Sequence, residues 1–191
     1  MQEALYRKYR PDNLKKLVGQ PDAVSLIEKQ IKSNNLSHAY LFSGPRGVGK
    51  TSLARIIATT LGCDPVFDIT EIDAASHNKV DDIRELNDSI NFIASSPGKK
   101  RVFILDEVHM LSNAASNAFL KTLEEPPEHV IFILATTEPE RVLETIKSRT
   151  THIAFKRIGN DKIINTLNEI GKNEKIKINE DVLSYIANQS D

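Results

Sequence analysis

The 191-residue chain carries 25 basic and 26 acidic side chains, a formal net charge of −1, so no global field draws the whole molecule onto nucleic acid or an anionic membrane, and any such binding must be local. Its length accommodates one full core and the beginning of a second, since single domains cluster around about 100 to 150 residues. The one cysteine, Cys63, excludes an intrachain disulfide and any multi-cysteine zinc site, no apolar run approaches the roughly 18 residues that cross a bilayer, and the basic N-terminus lacks the apolar core of a secretory signal.

In chain order, short apolar runs alternate with segments of helical periodicity. The runs are 39–44 (AYLFSG), 66–73 (VFDITEID), 101–107 (RVFILDE), 130–137 (VIFILATT) and 151–155 (THIAF). VFIL and VIFIL are apolar at consecutive positions, as expected of strands covered on both faces. Between the runs, segments 51–61, 80–93 and 113–125 repeat apolar residues every three or four positions, which predicts helices. Pro126 and Pro127 stop the third helix, because proline cannot continue the hydrogen-bond ladder. A turn is expected at SSPGKK, 95–100. Strand and helix in alternation predict an α/β fold, a parallel sheet with helices on both faces, whose ligands sit at the carboxyl ends of the strands. After Arg157 two helices follow, about 161–173 and 180–189, with no strand between. A boundary near Ile158 therefore divides the chain into 1–158, an α/β domain, and 159–191, the beginning of a helical one.

The first strand runs into GPRGVGKTS, 44–52, which fits the phosphate-loop pattern G-x-x-x-x-G-K-[ST] and is followed at once by a helix. Glycines at this spacing let backbone N–H groups turn inward on phosphate oxygens, and the helix adds the positive end of its dipole. Gly44, Pro45, Arg46, Gly47, Val48, Gly49, Lys50, Thr51 and Ser52 form the expected cradle; Lys50 reaches the outer phosphates and the Thr51 hydroxyl ligates Mg²⁺. The third strand, expected to neighbour the first, ends in Asp106, which suits the Mg²⁺ shell, and Glu107, which suits a general base for an attacking water. At the end of the fourth strand Thr137, in preference to Thr136, is placed to bond the γ-phosphate or the water; β-branched threonine also simply suits a strand.

These pieces, together with YRKYRP…LVGQ, EIDAASHNKVDDIREL, DEVHMLSNAASNAFLKTLEEPP and SRT, resemble the clamp-loader branch of the AAA+ ATPases, and within it the gamma/tau subunits of bacterial DNA polymerase III. The resemblance covers nearly the whole chain, with Phe119 where the family has leucine. It implies an AAA+ P-loop NTPase with a five-stranded parallel sheet flanked by helices, followed by the start of a small helical lid. ATP and Mg²⁺ are the implied cofactors. The implied partners are delta, delta-prime and further gamma/tau copies, the sliding clamp and primed DNA, in a cytoplasmic, nucleoid-associated hetero-oligomer. The segment 6–20 would line the adenine pocket through Arg7, Tyr9, Pro11 and Val18. Arg149 of the SRT motif, where the family has Ser-Arg-Cys, would reach the γ-phosphate held by a neighbouring subunit. Lys79 and Arg84, and more weakly His77, would contact the DNA backbone; basic residues beside Asp81, Asp82 and Glu85 are otherwise a solvated helix face.

Two departures from the family pattern stand out. The four-cysteine zinc module expected between the first helix and the second strand is replaced by a direct passage from LGCDP to VFDITEID, so no zinc is expected. The chain also stops at ANQSD, where the family continues to a lid arginine, and so reads as the N-terminal part of a longer protein. Two other functions stay open on the residues alone: a non-hydrolysing scaffold of the delta-prime type, and an AAA+ DNA motor of the branch-migration type.

Overall fold

The computed structural model describes residues 4–96 and 99–190. A short helix α1 (Leu5–Lys8) and a 3-10 turn lead into α2 (Pro21–Lys32), which the sequence pattern left unassigned. Its signals are Pro21 at the first helical position and the apolar pair Ala23 and Ile27, four apart and both buried. There follow β1 (Ala39–Ser43), α3 (Lys50–Thr60), β2 (Ile69–Asp73), α4 (Val80–Ser89), β3 (Arg101–Asp106), α5 (Asn113–Glu124), β4 (Val130–Thr136), α6 (Glu144–Lys147) and β5 (Thr151–Ala154). Two helices close the chain, α7 (Asn160–Asn173) and α8 (Glu180–Gln189). No helix among the described residues is long and apolar enough to cross a membrane.

The five strands form one parallel sheet in the order β2-β3-β4-β1-β5. One expectation changes here: β3 and β1 are not neighbours, because β4 is inserted between them. The phosphate loop after β1 and the acidic pair after β3 therefore face each other across the end of β4. Alternate side chains of the central strands enter two cores. Tyr40 and Phe42 pack with Ile27, Leu53 and Ile57 beneath α2 and α3. Leu41 and Phe132 pack with Ile83 and Phe119 beneath α4 and α5. Phe119 is fully buried and meets Phe132 edge-on, ring centroids 5.2 Å apart, a geometry that rings favour.

Element ends depart from the periodicity in two places. The second strand begins at Ile69 and not at Val66, because Asp68 is buried and its carboxylate accepts from Asp64 N, Ser95 N and Ser95 Oγ, which holds 64–68 as a turn. Helix α4 ends at Ser89, short of the expected Ile93. There the buried Arg101 donates Nη1 to the carbonyls of Ser89, at 2.7 Å, and Phe92, at 3.2 Å, satisfying acceptors at the helix terminus. Of the turn expected at 95–100, Pro97 and Gly98 lie outside the described residues.

Candidate functional site

The phosphate loop crosses from β1 to α3 with three glycines at positive φ: Gly44, Gly47 and Gly49. A Cβ on Gly44 would stand 2.5 Å from the carbonyl oxygen of Phe155, so the loop's packing against the end of β5 requires glycine. Gly49, at φ 101°, precedes the first residue of α3, where any side chain would also press on Leu17. Gln20 fastens the loop from outside: its amide nitrogen donates to Val48 O at 3.3 Å and Lys156 O at 2.7 Å, and its oxygen accepts from Lys156 N.

Lys50 is buried within this loop, and its ammonium donates to Gly44 O and Pro45 O, each at 2.7 Å. Burial lowers its pKa from the ordinary value, opposed by the carboxylates of Glu107 and Asp106. Across the cleft, Thr51 Oγ1 donates to Asp106 Oδ2 at 2.9 Å. A hydroxyl and a carboxylate side by side are the hard oxygen donors that suit Mg²⁺, so the residues present fit that ion. Glu107 sits just beyond the strand at φ 49°, a left-handed conformation unusual for glutamate. Its Oε2 accepts from Thr137 Oγ1 at 3.0 Å and Thr137 N at 3.3 Å. Thr136, by contrast, is fully buried and bonded to His109.

The cleft, about 490 Å³, is lined by Arg46, Gly47, Gly49, Lys50, Thr51, Ser52, Asp106 and Glu107, all singled out by sequence. Gly44 and Pro45 supply carbonyls to Lys50, and Val48 is turned inward. Arg10 and Asp73 also line it and were not anticipated. Asp73 reaches the cleft because it ends β2 in register with Asp106, a pairing that only the fold shows. Arg10 lies within the segment 6–20 that the resemblance assigns to the base pocket, but no place in this cleft was expected of it.

An apolar pocket of about 260 Å³ adjoins the loop. Tyr9, Pro11 and Val18, three of the four candidates for the base pocket, line it; the fourth, Arg7, does not, being exposed and lying over the ring of Tyr6. The opposite wall comes from Ile158 and from Ile163, Thr166 and Leu167 of α7, residues whose helical spacing was visible while their partner surface was not. Lys8 Nζ, at 2.6 Å, and Tyr9 Oη, at 2.5 Å, both donate to Glu174 beyond the end of α7, which ties the N-terminal segment to the terminal helices.

Arg149 lies elsewhere. Its guanidinium donates to Thr145 O at 2.8 Å and to Glu124 Oε1 at 2.5 Å. It precedes β5, whose Thr151 pairs with Tyr40 near the start of β1, whereas Lys50 follows the far end of β1. A five-residue strand spans about 16 Å, so the arginine and the phosphate loop stand at opposite ends of the sheet. Lys79, at the N-cap of α4, and Arg84 are exposed, as is His77; Arg84 pairs with Asp81 at 2.8 Å.

A family model described as DNA polymerase III, delta subunit matches residues 19–71 and 65–159. The tau subunit of DNA polymerase III from Bacillus subtilis is 44% identical over 209 residues, covering 99% of this chain and 37% of that protein. The chain thus spans 37% of that relative, 30% of the gamma/tau subunit of Mycobacterium bovis and 56% of the gamma subunit of Buchnera aphidicola. Among solved structures, the RuvB Holliday junction branch migration motor of Thermotoga maritima superposes with a TM-score of 0.75 at 22% identity, over 95% of this chain and 60% of that one. A gamma subunit-related protein from the same organism gives 0.62 at 24% identity, over 77% and 52%. At these identities the structural likenesses establish the fold, a five-stranded parallel sheet flanked by helices with a glycine-rich loop after β1, and nothing finer.

Proposed function

Because this chain belongs to the DNA polymerase III subunit family and is similar to the N-terminal clamp-loader region of gamma/tau, we propose that it is an ATP-binding and ATP-hydrolysing part of the bacterial replicative clamp loader. In that role ATP would drive loading of the sliding clamp onto primed DNA, alongside delta, delta-prime and further gamma/tau subunits. The observation that carries the proposal is the convergence of Lys50, Thr51, Asp106 and Glu107 on one cleft from the ends of β1 and β3.

Backbone amides of 44–52 and the start of α3 grip the phosphates, while Lys50 leaves the carbonyls of Gly44 and Pro45 to meet their oxygens. Thr51 and Asp106 would hold Mg²⁺, which when bound neutralises charge on the phosphate oxygens. Glu107 orients and deprotonates the attacking water, with Thr137 holding its carboxylate. Tyr9, Pro11, Val18 and the residues of α7 enclose the base. Residues 159–191 act as the beginning of a lid. The separation of Arg149 from its own loop favours action in trans, on the phosphate of an adjoining subunit. Lys79 and Arg84 would follow the DNA backbone.

Two measurements test this. Glu107→Gln in the full-length protein, assembled with its partner subunits, should bind ATP while turnover falls by about 100-fold or more. Unchanged turnover would remove Glu107 from the chemistry. Equilibrium binding of labelled ATP separates a motor from a scaffold of the delta-prime type, which should bind none.

A further inference from the structure

His109, which neither the phosphate-loop pattern nor the acidic pair brings in, is buried against the general base. Only 5% of its side chain is exposed. Nε2 lies 3.1 Å from Glu138 Oε1, and since a carboxylate only accepts, this nitrogen donates. Nδ1 lies 3.0 Å from Thr136 Oγ1 and 3.4 Å from Glu107 Oε2, so the ring attracts both carboxylates only in the form that carries a proton on each nitrogen. Thr136 is itself fixed, fully buried and accepting from Glu138 N at 3.0 Å.

Resting on the assignment of Glu107 as the base, we propose that His109 is a positioning residue that sets the orientation of the Glu107 carboxylate. Glu107 occupies a left-handed conformation that its own backbone does not favour, so its side chain needs external restraint. It falls on Oε2: the Thr137 hydroxyl and amide donate to it from one side, and the protonated Nδ1 of the imidazole faces it at 3.4 Å from the other. That leaves Oε1 to work on a water in the cleft that Glu107 lines. The far nitrogen anchors the ring to Glu138, at the head of the turn Pro139–Arg141 that leads towards α6 and Arg149. A buried ring with both nitrogens engaged has one orientation, which an apolar side chain of the same volume cannot transmit to a carboxylate.

The test is steady-state turnover and equilibrium ATP binding by the full-length protein with its partner subunits, carrying His109→Leu, His109→Asn or His109→Gln, with Glu107→Gln as reference. The Leu variant is expected to lose about 10- to 100-fold in kcat with ATP affinity and KM within about twofold, because the base is misplaced while the phosphate grip is intact. Asn, whose amide reaches the position of Nδ1, should recover most of the loss; Gln, which reaches only the position of Nε2, should not. Parental kcat in the Leu variant overturns the inference, as does an Asn variant no better than Gln or Leu. If the Leu variant does not fold, the Asn and Gln pair decides alone. Parental turnover in Glu107→Gln overturns the assignment of the base, and the inference with it; reduced turnover there beside a parental Leu variant overturns the inference only.

Discussion

Lys50 makes plain what burial does to a charged group proposed to bind an anion. Its ammonium sits among carbonyls of its own loop, bonded to Gly44 and Pro45 and held below its ordinary pKa by desolvation. A triphosphate supplies stronger acceptors in the same place. Lys50→Ala should therefore lose ATP affinity by about 100-fold or more, read by calorimetric titration, with little change in melting temperature. Cys63 illustrates the converse case. Burial, and secondarily Asp68, raise its thiol pKa to about 11, and the thiolate is the reactive form. Alkylation of the native protein at pH 8 should be negligible beside that of the unfolded chain, and prompt native reaction would contradict the burial. At this scale the sequence was legible where chemistry is local. Lys50 and Thr51 belong to one contiguous loop, and Asp106 ends an apolar run. Asp73 and His109 were not legible, because their placement exists only where separate segments meet; Arg10 lies in a segment expected at the base pocket but lines the neighbouring cleft, and Arg7, expected at the base pocket, is exposed.

Elements were read correctly where periodicity was long and uninterrupted, as in β3, β4 and α5, and misread where a buried polar side chain decided the end. Asp68 delays β2, and Arg101 terminates α4. Helix α2 was missed because its core-facing residues are few, Ala23 and Ile27 among polar neighbours. Arg101→Ala should lower stability by about 1 to 3 kcal/mol, measured from the urea midpoint, since it removes two charge-assisted bonds to the carbonyls of Ser89 and Phe92, which then keep only Phe92 N and His129. The contact between the N-terminal segment and α7 carries a pH signature. Lys8 first, then Tyr9, hold Glu174 below its ordinary value of 4.5. A carboxyl lowered in the folded state contributes stability that is present above the unfolded pKa and lost as pH falls through the folded one. Amide exchange near Glu174 should therefore be slow at neutral pH and accelerate only in acid below that range, and Glu174→Gln should show the fast exchange already at pH 7. Exchange independent of pH, once corrected for the intrinsic rate, would dismiss the latch.

For the whole molecule the decisive fact is topological. Arg149 and the phosphate loop sit at opposite ends of adjacent parallel strands, so one chain cannot bring them together without unpairing β1 from β5. The sequence placed the arginine about a hundred residues after the loop; only the register shows that the separation in space is enforced. Arg149→Ala should leave ATP binding intact and lower stimulated turnover of the assembly by about 10³-fold or more, the scale of an arginine supplied in trans. Its guanidinium donates to Glu124 at 2.5 Å, a bond that a phosphate would have to displace on the proposed reading. All of this presupposes a gripped triphosphate. The most direct measurement is calorimetric titration of ATP and Mg²⁺ into the purified chain and its Lys50→Ala variant. The account predicts saturable heat with one site per chain, abolished in the variant. Absence of heat in the parent, or equal heat in both, would contradict it.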